Sequence, residues 1–315
     1  MNPEQGYIVT ANNAVVGPDY PYVITREWDY GFRAGRIIEM IENAPEPITA
    51  EYIQQIHGDN RNQSAVYMVP LVLEMELEDV RQAVAQELLV GWDYQDHMNL
   101  AAPALYNAFW RAVLARTFHD DLPEDYWPSG DDVWFEVMRR LVQQPDSPWW
   151  DDQATAQVET RVEIFNLAFA DAVSELEEVL GRDPADWRWG DLHTTIFHHQ
   201  TLGMSGVAPI EAIFNRGPYP TSGGGPIVNA TSWNAADPDP LTAYQIVWLP
   251  SMRMIVDLSS LADSLSLNTT GQSGHAYHPH YVDQVDLWRN IQYHPMLWER
   301  TQVEAAAESH LRLTP

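Results

Sequence analysis

Apolar positions along the chain fall into three textures. Near the start, Tyr7-Ile8-Val9-Thr10-Ala11 predicts a short strand that ends at Asn12-Asn13, and Gly17-Pro18-Asp19 is turn chemistry. Ala34, Ile37, Ile38 and Ile41 then repeat at helical spacing until Pro45 and Pro47 stop them, and Thr49-Ala50-Glu51 opens another helix. Helical spacing continues through Val66–Leu77 and Ala101–Leu114. The longest run is expected from about Asp152 to Leu180, where Val158, Val162, Phe165, Phe169, Val173, Leu176 and Leu180 recur by threes and fours before Gly181 closes it. After Pro184 the period changes. Leu192–Phe197, Ala243–Leu249 and Met252–Leu258 read as strands, with turn-rich sequence between them, notably Gly217–Pro226. From Asp283 the pattern is helical again. The order predicts an α+β fold with a large helical block in the middle: 1–45 as a strand and helix, 46–183 mainly helical, 184–315 strand-rich with a terminal helix.

Composition narrows the function. With 17 basic against 45 acidic residues the formal charge is −28, and every basic residue is Arg. Such acidity opposes nucleic acid and anionic membrane surfaces, so neither is an expected partner. The absence of Cys removes disulfides, thiolate nucleophiles and Cys-based zinc sites. No apolar run reaches the ~18 residues of a membrane span, and Met1–Gly6 has neither the basic nor the apolar stretch of a signal peptide.

Several constellations have an ordinary explanation. His275, His278 and His280, and the pair His198-His199, lack the spacing of a metal helix and sit in irregular sequence, so they are read as surface or structural histidines. The acids Glu74, Glu76, Glu78, Asp79, Asp120-Asp121, Asp131-Asp132 and Asp151-Asp152 fit helix starts and solvated loops. Gly223-Gly224-Gly225 lacks the Lys-Ser/Thr of a phosphate loop and reads as a hairpin turn. No Gly-x-Ser-x-Gly elbow occurs. More informative is an Asn pair after a strand, followed by Tyr20-Pro21, Trp28 and Arg33. Asn12 offers amide donors suited to a developing oxyanion, and Arg33 shares a helical face with Ile37 and Met40. From spacing alone, an Asn turn with a structural Arg is the favoured reading.

In order, Gly6–Asn13, Tyr20-Pro21, Trp28 and Arg33-Ala34-Gly35-Arg36-Ile37 resemble the penicillin acylase family of N-terminal-nucleophile (Ntn) hydrolases. Further matches are Trp187-Arg188-Trp189-Gly190 with His193, Phe214–Pro218, Ile227–Ala230, Ser251–Arg253 with Asp257-Leu258, Thr270–Gly274, and His280–Gln284 with Trp288. The resemblance implies part of an αββα sandwich, with antiparallel sheets between helical layers, and hydrolysis of linear amides by acyl transfer. In the family an N-terminal Ser attacks and its own α-amine is the base. The resemblance makes Asn12 the oxyanion donor and Arg33 the organiser of the network around it. It also implies partners: an α subunit and the N-terminal part of a β subunit, both expected to lie outside these residues, and a small acyl-amide substrate. Without them the chain is expected to be inert and poorly stable, since positioned donors cannot attack and unpaired sheet edges aggregate. The family setting is periplasmic or extracellular. Some members bind calcium through an Asp just beyond Tyr-Pro; Ile24 stands here, so no metal or other cofactor is expected. The alternative is an inactive scaffold or binding module on the same fold.

Overall fold

A computed structural model describes residues 2–314. The helices are α1 (Phe32–Glu42), α2 (Ala50–His57), α3 (Gln63–Leu73), α4 (Val80–Gln86), α5 (Ala102–Phe118), α6 (Asp132–Leu141), α7 (Arg161–Leu180), α8 (Trp189–Leu192), α9 (Ala208–Phe214), α10 (Pro240–Ala243), α11 (Val285–Arg289) and α12 (Arg300–Ala306). The strands are β1 (Thr194–Phe197), β2 (Arg216–Pro220), β3 (Met252–Ile255), β4 (Leu265–Asn268) and β5 (His294–Pro295). This is the mixed helical and antiparallel-sheet architecture expected from the sequence. The chain divides into two compact units, residues 1–44 with 58–249, and residues 45–57 with 250–315.

The larger unit is built on α5 and α7. Helix α5 carries apolar residues around its whole circumference, and Leu105, Tyr106, Phe109, Trp110, Val113 and Leu114 are all buried. A helix apolar on every side must be enclosed. Helix α7 supplies one wall, with Phe165 and Phe169 in ring contact with Phe109 at 5.3 and 6.1 Å. Phe135 of α6 meets Trp110 edge-on at 5.1 Å. Strands β1 and β2 pair antiparallel, with Thr194 opposite Pro220. In the smaller unit β3, β4 and β5 form a three-stranded antiparallel sheet in which Met252 faces Asn268 and Leu265 faces Pro295.

Several expected boundaries move. Helix α7 begins at Arg161, nine residues after the expected start, because Thr160 and Glu163 form a reciprocal capping box. Residues 7–10 take no regular secondary structure, Ala11 is a bend, and Ile8 is 78% exposed, so the expected strand does not form. Just beyond them, a single parallel bridge joins Asn13 to Asp29. Ala243–Leu249 is not a strand: Asp239 caps Leu241 and Pro240 starts α10, so the backbone is already turning at Ala243. The third strand stops at Ile255, short of Leu258. Residues 217–220, expected as turn, lie within β2. Gly223–Gly225 joins no hairpin; Gly224 bridges Ala230 in parallel, and Gly223 donates its N–H to the Asp96 carbonyl at 2.8 Å. The terminal helical stretch is broken into α11 and α12 by β5.

Candidate active site

Three segments of the larger unit enclose a cleft of about 370 Å³. Asn12, Asp29 and Arg33 form one wall, Asp131 and Asp132 at the start of α6 a second, and Gly225, Pro226, Ser232 and Trp248 a third.

The first wall is set by Gly31. At φ 87° it takes a left-handed conformation that suits glycine and turns the chain into α1. That turn places Arg33 on the first helical turn, facing back over the loop it has just left. One amino group, Nη2, serves the Ala11 carbonyl at 3.2 Å, Asn12 Oδ1 at 2.6 Å, and the Asp29 carboxylate. A guanidinium can only donate, so the amide oxygen of Asn12 must face Arg33 and its NH2 must face away. Asn12 lines the cleft, and its Nδ2 has no protein partner among the described residues. Its backbone sits at φ 62°, and its carbonyl accepts the Asp29 N–H at 3.0 Å. The family resemblance pairs Asn12 with Arg33. It misses Asp29, although an Asp four residues ahead of an Arg is a readable signal.

The second wall is an ordinary helix start. Asp131 caps α6 by accepting from Val133 N–H at 3.2 Å, and Asp132 accepts Tyr30 N–H at 2.8 Å. Burial, beside Asp29 and Asp131, raises the Asp132 pKa. The other paired acids stand where the sequence puts them, with Asp79 capping α4 and Asp120-Asp121 exposed.

Behind the third wall lies a buried polar cluster; His193 belongs to a segment that the resemblance singles out, whereas Asp96 and its partners are overlooked in the sequence because no periodicity marks them. Asp96, fully buried, accepts from Asn62 at 2.9 Å and Asn107 at 3.2 Å through Oδ2, while Oδ1 has no hydrogen-bond partner. His193, also fully buried, stacks on Trp189 at 4.6 Å between centroids. Its Nδ1 lies 2.8 Å from the Tyr244 carbonyl, which only accepts, so the proton is assigned to Nδ1. Burial lowers this imidazole from the ordinary 6.5 to about 4. An unfolded chain therefore gains a proton below pH 6.5 that the folded chain refuses until about pH 4. The contribution of His193 to stability is full above pH 6.5 and is expected to fall by about 1.4 kcal/mol per pH unit below it. Urea unfolding from pH 8 to 4.5 should show that limb as a difference between the two proteins: His193→Gln should gain on the wild type by about that amount per pH unit below pH 6.5.

The remaining histidines make no metal centre. His280 contacts Asp283 at 2.6 Å and Glu308 at 3.2 Å on the surface, and the carboxylates raise its pKa. Among the described residues no three His, Asp or Glu side chains converge to hold a metal. Ile24, the position at which the resemblance would put a calcium-binding Asp, has a hydrocarbon side chain that cannot ligate the ion.

Comparison with known proteins gives a consistent picture. The penicillin amidase family model matches residues 1–305. Acyl-homoserine lactone acylase QuiP of Pseudomonas aeruginosa is 28% identical over an alignment covering 100% of this chain and 40% of that protein. Penicillin acylase 2 proenzyme of a Pseudomonas species is 26% identical, covering 99% of this chain and 39% of the relative. In three dimensions, thermostable penicillin G acylase from Alcaligenes faecalis superposes with a TM-score of 0.56 at 17% identity, over 100% of this chain and 57% of that one. The chain thus spans about 40% of the length of the curated relatives it matches. With the model match running nearly end to end and the same fold in a solved acylase, the chain belongs to the penicillin amidase family.

Proposed function

We propose that this chain supplies the oxyanion-binding side of an enzyme that hydrolyses a linear amide by acyl transfer. The attacking group is an N-terminal Ser outside these 315 residues. Its α-amine takes the hydroxyl proton as Oγ bonds to the amide carbon. The carbonyl oxygen becomes an oxyanion, and Asn12 Nδ2–H donates to it. Collapse of the intermediate expels the amine, which takes up the proton, and water then hydrolyses the acyl-enzyme by the same route. Arg33 is not in contact with the reacting atoms in this scheme. It holds the Asn12 oxygen so that the donor end faces the cleft, and Asp29 balances its charge.

The observation that carries the reading is the 2.6 Å contact from Arg33 to Asn12 Oδ1, which leaves the amide NH2 without a protein partner at the cleft. Relatives named as acylases of acyl-homoserine lactones and of penicillin support an acyl amide as substrate. An assay of amine release from an N-acyl-homoserine lactone or a chromogenic acyl anilide tests it. The 315-residue chain alone is expected to release nothing, and the chain joined to a nucleophile-bearing segment of the family to turn over. Turnover by the chain alone, abolished by Asn12→Ala, would show that the nucleophile lies within it. No turnover in the joined enzyme would favour a binding scaffold.

A further inference from the structure

Helix α1 carries Arg33, yet little apolar packing holds it. Within the helix only Ala34 is fully buried, and its N-cap Gly31 offers no side-chain hydrogen bond. Phe32 touches Phe135 edge-on at 5.6 Å, which fixes one end. Rotation about the helix axis is fixed elsewhere. Arg36, one turn beyond Arg33, forms a two-pronged pair with Asp59, Nε to Oδ2 and Nη2 to Oδ1, both at 2.9 Å. The Asp59 side chain is 4% exposed and also accepts from Gln95 Nε2 at 3.0 Å. A planar fork on a buried, doubly held carboxylate resists both rotation and translation.

The same short segment grips the opposite wall. The Asp59 carbonyl accepts the Asn229 N–H at 3.0 Å, and Asn60 Oδ1 accepts from Asn229 Nδ2 at 2.9 Å. Gln95 closes the arrangement by accepting the Asn60 N–H at 2.8 Å. Asn229 lies in the loop that carries Gly225, Pro226 and Ser232 into the cleft. Residues 59 and 60 therefore touch the mounting of Arg33 on one side and that of the loop on the other. We infer that Asp59 and Asn60 are positioning residues that set the separation of the two cleft walls: Asp59 acts through Arg36 on Arg33 and Asn12, and Asn60 acts through Asn229 on the loop.

The geometry explains why such a device matters. A rotation of α1 by about 20° carries a side-chain tip, roughly 5–6 Å from the axis, through about 2 Å. That displacement is enough to separate Arg33 from Asn12 Oδ1 and free the amide to turn over. The inference rests on the proposed roles of Asn12 and Arg33, but its test needs no catalysis.

The experiment is nitrogen-15 NMR of the 315-residue chain. It reads the Arg33 Nε–H and Asn12 Nδ2–H2 signals for one wall and the Gly225 and Ser232 backbone amides for the other. Arg116, which makes its own two-pronged pair with Asp171 at 2.7 and 3.0 Å, is the folding control. Arg36→Gln is expected to abolish the discrete Arg33 signal and move both Asn12 amide protons to the positions of an exposed Asn, with Arg116 unmoved. Asn60→Ala is expected to shift Gly225 and Ser232 and leave Arg33 in place. Asp59→Asn keeps the volume and weakens the fork, so it should repeat the Arg36→Gln result if that variant loses the Arg116 signal through misfolding. Unchanged Arg33 and Asn12 signals in a folded Arg36→Gln or Asp59→Asn variant would overturn the inference. Because no turnover is read, that failure would leave the donor role of Asn12 untouched, and a kinetic failure of Asn12 would leave the tether untouched.

Discussion

Replacing Asn12 by Ala, in an enzyme that joins this chain to the family nucleophile, is expected to lower kcat by about 10²–10³ with little change in KM. The reason is differential binding. A carbonyl oxygen in the bound amide carries only a partial charge, whereas the tetrahedral intermediate carries a full one, so the Nδ2–H bond strengthens mainly in the transition state. Loss of one such donor typically costs about 2.7–4 kcal/mol of transition-state stabilisation. Asn12→Asp is a sharper probe. It keeps the size and an oxygen that can face Arg33, but it has no donor and adds negative charge beside the developing oxyanion, so it should be at least as slow. Steady-state and single-turnover kinetics on both variants decide the matter. A loss confined to KM would make Asn12 a substrate-binding group, and wild-type rates in either variant would remove it from the chemistry.

The second large effect concerns Asp96 and is read from stability. Burial, only partly offset by the Asn107 and Asn62 amides, pushes this carboxyl from the ordinary 3.8 up to about 8. The folded protein therefore keeps a proton on Asp96 that the unfolded chain releases above pH 3.8. The stabilisation is complete below that pH and is lost as pH rises toward about 8. Over pH 5–7 this group alone should remove about 1.4 kcal/mol per pH unit. Asp96→Asn has nearly the same shape and no charge to desolvate. Its carbonyl can accept from Asn62 and Asn107, and its NH2 replaces the partnerless Oδ1. The variant should match the wild type near pH 4 and exceed it increasingly at pH 7–8, measured by denaturant midpoints on tryptophan fluorescence. Parallel pH profiles for the two proteins would refute a protonated Asp96. The His193 limb has the opposite sign and a similar slope over about pH 4–6.5, so the two contributions should offset there and leave a plateau that falls only between about pH 6.5 and 8.

Elements whose identity depends on local periodicity are legible in the sequence. The stripe over Ala34–Ile41 lies in α1, and the apolar run from Ala101 forms the central helix α5. The α7 start is misplaced although its signal is present, because apolar Val158 extends the stripe; that side chain is 82% exposed, and Thr160-x-x-Glu163 marks the true boundary. A strand at Tyr7–Ala11 cannot be decided locally, since a strand exists only through its partner. Within the site, Asn12 and Arg33 stand out because they belong to a recognisable ordered motif. The Arg36–Asp59 pair, the Gln95 bridge and the Asp96 cluster join residues from 11 to 36 positions apart. Nothing in composition or spacing distinguishes them from the many solvated acids of a chain this acidic.

The left-handed backbone at position 12 limits what evolution or design can place there. Branched and bulky side chains are strained in that conformation, and only Gly, Asn and Asp enter it readily. Of those three, Gly has no side-chain donor and a carboxylate repels the oxyanion. The backbone shape thus admits three amino acids and the proposed donor role one of them, so a library randomised at this codon should return Asn almost alone under selection for turnover. Under selection for folding only, it should return all three.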